Sequence, residues 1–160
     1  MVEINKKLTI KLIFLISIIA LVSAFFIEHF LGHQPCNLCI LERIPYLLAI
    51  IIIILNYKFI HLEKYFILLI ILVFFTATIL SLYHLGIEQG FIEESLVCDL
   101  KNGANLQSKE DILKQLQEKN VSCKNVTFKI LGLSLTFYNV LISLLIIFAT
   151  IKIYLNYEKN

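Results

Sequence analysis

At 160 residues and 18.5 kDa, the chain is 59% hydrophobic and 16% charged, with a mean hydropathy of +0.84. Soluble domains run nearer roughly 45–50% apolar and about 25% charged, so the composition excludes an ordinary one and points to a membrane protein. The excess lies in Phe, Tyr and long Ile/Leu runs, with Gly 5 and Pro 2, which excludes disordered and collagen-like chains, and a net charge of +2 is too small and dispersed for nucleic-acid binding.

A hydrocarbon core of about 30 Å takes roughly 20 apolar residues of helix. Four stretches fit, at about 8–27, 40–57, 65–84 and 130–151. The first tolerates Lys11 by snorkelling, and the second carries Arg43 near its start. Backbone polar groups cannot go unpaired in lipid, and these runs are too long and uniformly apolar for alternating barrel strands. The expected fold is therefore an all-α membrane protein, one domain over residues 1–160 built as a four-transmembrane-helix bundle.

Orientation follows from the basic residues near the helix ends. Lys6, Lys7 and Lys11 open the first span, Lys58 and Lys64 separate the second and third, and Lys152 and Lys159 follow the fourth. These and both termini are expected in the cytoplasm. The loop at about 28–39 has no Lys or Arg, and the loop at about 86–129 mixes six Lys with seven acidic residues, so both are expected outside. The N-terminal stretch reads as a retained anchor, because no clean small-x-small cleavage site precedes Glu28.

All four cysteines fall in those two loops: Cys36 and Cys39 end the first, and Cys98 and Cys123 lie in the second. An oxidising compartment favours disulfides there. The two-residue spacer pairs Cys36 with Cys39 and leaves Cys98 with Cys123 to close the long loop. A structural staple suits Cys98–Cys123, since crosslinking a long loop removes unfolded-state entropy. So short a ring as Cys36–Cys39 gains little that way, whereas a C-x-x-C opening a helix suits redox chemistry, because free N–H groups and the helix dipole stabilise a thiolate. A zinc site of four thiolates is the other reading, but the second pair lacks knuckle spacing and no metal is expected. Arg43, one turn after Cys39, is placed to stabilise its thiolate or to polarise a carbonyl on an electron acceptor; the plainer reading pairs it with a lipid phosphate or Glu42.

The string Pro35-Cys36-Asn37-Leu38-Cys39-Ile40-Leu41-Glu42-Arg43 resembles the signature of the DsbB family, the quinone-dependent inner-membrane disulfide oxidases of bacteria. The likeness extends to the four-helix layout, the second cysteine pair, Tyr83-His84-Leu85-Gly86-Ile87-Glu88 and Leu131-Gly132-Leu133-Ser134-Leu135, covering about 12–151. Tyr138-Asn139 stands near where members commonly carry Trp. The resemblance implies a thiol-disulfide oxidoreductase of the bacterial inner membrane, with its active cysteines on the periplasmic side. By the same likeness, a periplasmic DsbA-like thioredoxin-fold partner attacks Cys98, freed Cys123 attacks Cys36, and Cys39 leaves as a thiolate. Electrons then pass to a membrane quinone, ubiquinone or menaquinone, held by Arg43 and His84. The alternative is a non-enzymatic four-helix scaffold whose loops are stapled by two inert disulfides.

Glu88, one turn past His84, either tunes that histidine or is a solvated acid. His29 and His33 flank Glu28 with spacing four, which suggests a metal, but interfacial polar roles suit them better because no third ligand lies nearby in sequence. Ser108 to Asp111 resembles a capping box before an amphipathic helix at about 108–118. Gly132, Ser134, Thr136 and Ser143 suggest a close helix–helix contact.

Overall fold

A computed structural model describes residues 2–94, 98, 123–124 and 129–158. Helix α1 spans Val2–His29, α2 is the short Asn37–Leu41, α3 spans Ile44–Lys58, and a 3-10 turn at Ile60–Leu62 leads into α4, Glu63–Glu88. A hairpin of β1, Lys129–Ile130, and β2, Leu133–Ser134, precedes α5, Leu135–Glu158. Among the described residues, four helical stretches are long and apolar enough to cross a membrane: Lys6–His29, Asn37–Lys58, Ile60–Glu88 and Leu135–Asn156. The chain is a multi-pass membrane protein of four-helix architecture. The predicted loop helix at about 108–118 lies outside the described residues.

Two boundaries depart from expectation. The second span is broken after its first turn, between Leu41 and Ile44, where the expected helix ran unbroken from about 40. Pro45 explains the break: it has no N–H to give the carbonyl four residues back, and its ring disfavours helical backbone before it, so it serves instead in the first turn of α3. The fourth helix begins at Leu135 and not near 130, because Leu131 and Gly132 both take positive φ, 52° and 82°. Two such residues make the tight two-residue turn that matches strand twist, pairing Ile130 with Leu133 and Lys129 with Ser134. Gly132 thus serves the hairpin and not a helix contact.

The bundle is sorted by lipid. Leu15, Ile19, Val22, Ile54, Leu72, Phe75, Leu145 and Phe148 face outward, while Ser17, Ala49, Ala77, Ser81 and Ser143 are fully buried. Small side chains let helix backbones approach where lipid supplies no hydrophobic drive between helices. Some buried hydroxyls bond back one turn, as Ser17 does to the Ile13 carbonyl at 2.8 Å and Thr78 to the Phe74 carbonyl at 2.9 Å. The central core joins Ile10 and Ile13 of α1, Tyr46, Ala49 and Ile53 of α3, Ile70, Phe74 and Ala77 of α4, and Ile146 of α5. One end is tied by Lys6 and Glu63, with Nζ and Oε2 at 2.8 Å. At the other, a second cluster gathers Cys36, Leu38, Ile87 and Cys123, with Cys39, Leu41, Leu80, Tyr83 and Cys98 around it.

Candidate active site

The break before Pro45 leaves the C-x-x-C segment as a separate turn. Cys36 takes the N-cap position of α2, in extended backbone (φ −71°, ψ 168°), and its Sγ accepts the Cys39 backbone N–H at 3.2 Å. Its other neighbour comes from α4: His84 Nε2 lies 3.6 Å from Cys36 Sγ, although 48 positions separate them. Cys36 and Cys39 are both free thiols, so the structure shows the reduced state of the pair for which a disulfide was expected. Cys98 and Cys123 are bonded to each other. Asn37 Nδ2 donates to the Cys98 carbonyl at 3.2 Å, and the Lys124 N–H donates to Glu94 Oε1 at 2.8 Å, which seats this disulfide on the same end of the bundle.

The two thiols are not equivalent. The Cys36 thiol is held down from its ordinary 9.0 to about 5, chiefly by the hydrogen bond from the Cys39 side chain and then by His84, against burial, which pushes it up. The sequence had placed the stabilised thiolate on Cys39, beside Arg43. The donors instead surround Cys36, and the guanidinium turns to α1, where Nη1 meets Glu28 Oε2 at 2.6 Å and Cζ sits 5.2 Å above the Phe25 ring.

Behind His84 is a polar network that sequence reasoning missed. His84 Nδ1 meets Glu42 Oε1 at 2.9 Å, and Glu42 Oε2 accepts from Asn139 Nδ2 at 2.9 Å. Asn139 also donates to Ser81 Oγ at 2.8 Å and accepts from the Tyr46 hydroxyl. Thr136 Oγ1 donates to Glu88 Oε1 at 2.6 Å, and Glu88 Oε1 lies 3.8 Å from His84 Nε2. Glu88 is therefore a buried member of the site and not a solvated acid. Glu42 stands beside Arg43 in the signature string, and an acid inside an apolar span marks function by default. Asn139 and Thr136, being uncharged, carried no such signal.

These side chains line a cavity of about 230 Å³ bounded by Ala20, Ala24 and Ile27 of α1 on its apolar side and by Cys36, Cys39, Arg43, His84 and Glu88 on its polar side. His33 lines it too, while His29 bonds the Phe25 carbonyl at 3.1 Å.

A four-helix membrane bundle that holds a buried dithiol beside a disulfide belongs to the class of membrane thiol–disulfide proteins. The chain is a member of a particular family within that class: the family described as disulfide bond formation protein DsbB matches residues 6–153. It is also similar to an uncharacterized protein of Rickettsia prowazekii (strain Madrid E), 36% identical over 135 residues that cover 81% of this chain and 76% of that protein. No solved structure matches the chain. Membership implies a role in membrane disulfide-bond formation.

Proposed function

We propose that the protein reoxidises a periplasmic DsbA-like dithiol partner and passes the electrons to a quinone of the bacterial inner membrane. The observation that carries this reading is the placement of Cys123, buried in one cluster with Cys36, with Cys98 beside it. A disulfide and a dithiol packed in one cluster form two stations in series.

The partner's thiolate attacks the Cys98 sulfur, breaking Cys98–Cys123 and giving a mixed disulfide. The Cys123 thiolate then attacks Cys36 of the oxidised inner pair, and Cys39 is the leaving group. The partner's second thiol closes its own disulfide and releases Cys98, whose thiolate attacks Cys123, re-forming Cys98–Cys123 and freeing Cys36, so two electrons have moved inward for each partner oxidised. Each step is thiolate attack on sulfur, so leaving-group acidity and access control the rate. Within the reduced inner pair the polar contacts from His84 and from the Cys39 backbone N–H converge on Cys36, which favours its thiolate.

The cavity suits a quinone ring. At about 230 Å³ it is smaller than pockets for drug-sized ligands, roughly 300–1,000 Å³, and its apolar wall with a few convergent polar groups fits a flat head group. Arg43 and His84 would hold the ring oxygens, and Glu42 fixes the His84 imidazole from behind. When bound, the quinone accepts two electrons and two protons, which restores the Cys36–Cys39 disulfide.

Thiol trapping in cells tests the reading against inert staples. In quinone-depleted cells, reduced cysteines accumulate if the pairs form a relay. Pairs that stay oxidised would make them structural.

A further inference from the structure

We propose that the reduced site binds a zinc(II) ion through Cys36 Sγ, Cys39 Sγ, His84 Nε2 and a Glu88 carboxylate oxygen. The first three atoms lie within 4.8 Å of one another. Zinc takes four ligands tetrahedrally at about 2.3 Å for sulfur and about 2.0–2.1 Å for nitrogen, which sets neighbouring donor atoms about 3.5–3.8 Å apart. Cys36 Sγ and His84 Nε2 already stand 3.6 Å apart, and Glu88 Oε1 stands 3.8 Å from the same nitrogen. Cys36 Sγ and His84 Nε2 are already at zinc-ligand spacing, and the Glu88 carboxylate, which stands outside the group of three, turns toward the sulfurs to complete the site.

The fourth ligand has an independent observation behind it. The Glu88 side chain is only 5% exposed, yet its Oε2 has no hydrogen-bond partner among the described residues. A buried carboxylate oxygen left unpaired is costly, and a cation between it and the thiolates satisfies it.

The surrounding contacts are those of a metal site. A zinc-binding histidine usually engages a carboxylate through its other ring nitrogen, which fixes the ring and raises its basicity. Here Glu42 Oε1 does this at 2.9 Å from Nδ1, and Glu42 is itself held by Asn139. Thr136 orients Glu88 in the same way. The ligands come as two local pairs, Cys36 with Cys39 and His84 with Glu88, far apart in sequence, so cysteine spacing alone could not reveal the site and no metal is expected from it.

Zinc and the Cys36–Cys39 disulfide exclude each other, because both use the same sulfurs. Binding displaces thiol protons and leaves neither sulfur free to form the disulfide. The site therefore acts as a brake on the reduced enzyme, a consequence that rests on the redox reading, whereas the binding itself does not.

The test uses full-length protein in lipid nanodiscs, reduced and then titrated with zinc against a chromophoric chelator, with cadmium as the probe for thiolate charge-transfer absorption. A Cys98→Ser/Cys123→Ser variant removes the outer thiols from the count. One equivalent should bind to the reduced protein with the cadmium–thiolate band, and none after oxidation of Cys36 and Cys39. Cys36→Ser should abolish the band, His84→Ala and Glu88→Gln should weaken binding at least tenfold, and Glu42→Gln should weaken it about 10–100-fold. Helical circular dichroism identifies any variant that has not folded, and the oxidised protein is a control that needs no substitution. Absence of a stoichiometric band, or equal affinity in folded His84→Ala, overturns the proposal. Metal-free quinone reduction by the same wild-type preparation is read separately: turnover without zinc binding removes only the metal site, and zinc binding without turnover removes only the redox reading.

Discussion

The His84 imidazole lies 3.6 Å from the Cys36 sulfur, bridging α4 to the cap of α2 inside the membrane bundle. That contact sets a direct expectation for pH. Cys36 is depressed to about 5 from 9.0, so in the reduced protein its alkylation rate should hold level as pH falls from about 9 and drop only through about 5. A depressed group adds stability that is complete above its unfolded value and is lost as pH falls through its folded one. Reduced protein should therefore resist unfolding better at pH 9 than at pH 5, relative to the oxidised form. His84→Ala should move the alkylation inflexion upward. An inflexion near 9 in the wild type would contradict the assignment.

Glu42 carries the network, accepting from Asn139 and facing His84 with its two oxygens. Glu42→Ala strips both partners of their acceptor within the bundle, and a buried polar group left unsatisfied costs about 1–3 kcal/mol. Unfolding in mixed micelles measures this. A loss under about 1 kcal/mol would mean that the network is not formed.

Glu28 and Arg43 are more open, with side chains 30% and 19% exposed. A pair of that kind is worth about 0–1 kcal/mol, so Glu28→Gln should leave stability nearly unchanged. Its effect should appear in function, because Arg43 loses its anchor at the cavity: KM for quinone should shift several-fold with kcat largely kept. Unchanged KM in both Glu28→Gln and Arg43→Ala would remove the guanidinium from the acceptor site.

Much of this was legible in the residues. Apolar run length located the four helices, and C-x-x-C with Arg43 marked the site, because both signals are local. Pro45 carried a legible break, since a missing N–H acts within one turn, but the long apolar run after it masks that signal. The hairpin before α5 depended on Leu131 adopting positive φ, a conformation its side chain disfavours and nothing nearby in sequence announces. The partnership of Glu42, His84, Glu88, Thr136 and Asn139 is set by the docking of α4 and α5 against the start of α3. Spacing along one helix shows the His84–Glu88 pair but cannot encode its partners Glu42, Thr136 and Asn139.

The most direct measurement is quinone reduction followed spectrophotometrically, with purified protein and a reduced thioredoxin-fold donor of the DsbA type. The wild type should consume one quinone per donor disulfide formed, and Cys98→Ser should abolish donor oxidation while still allowing Cys36 and Cys39 to form their disulfide. Donor oxidation at the normal rate by Cys98→Ser, or no quinone consumption by the wild type, would contradict the two-station relay.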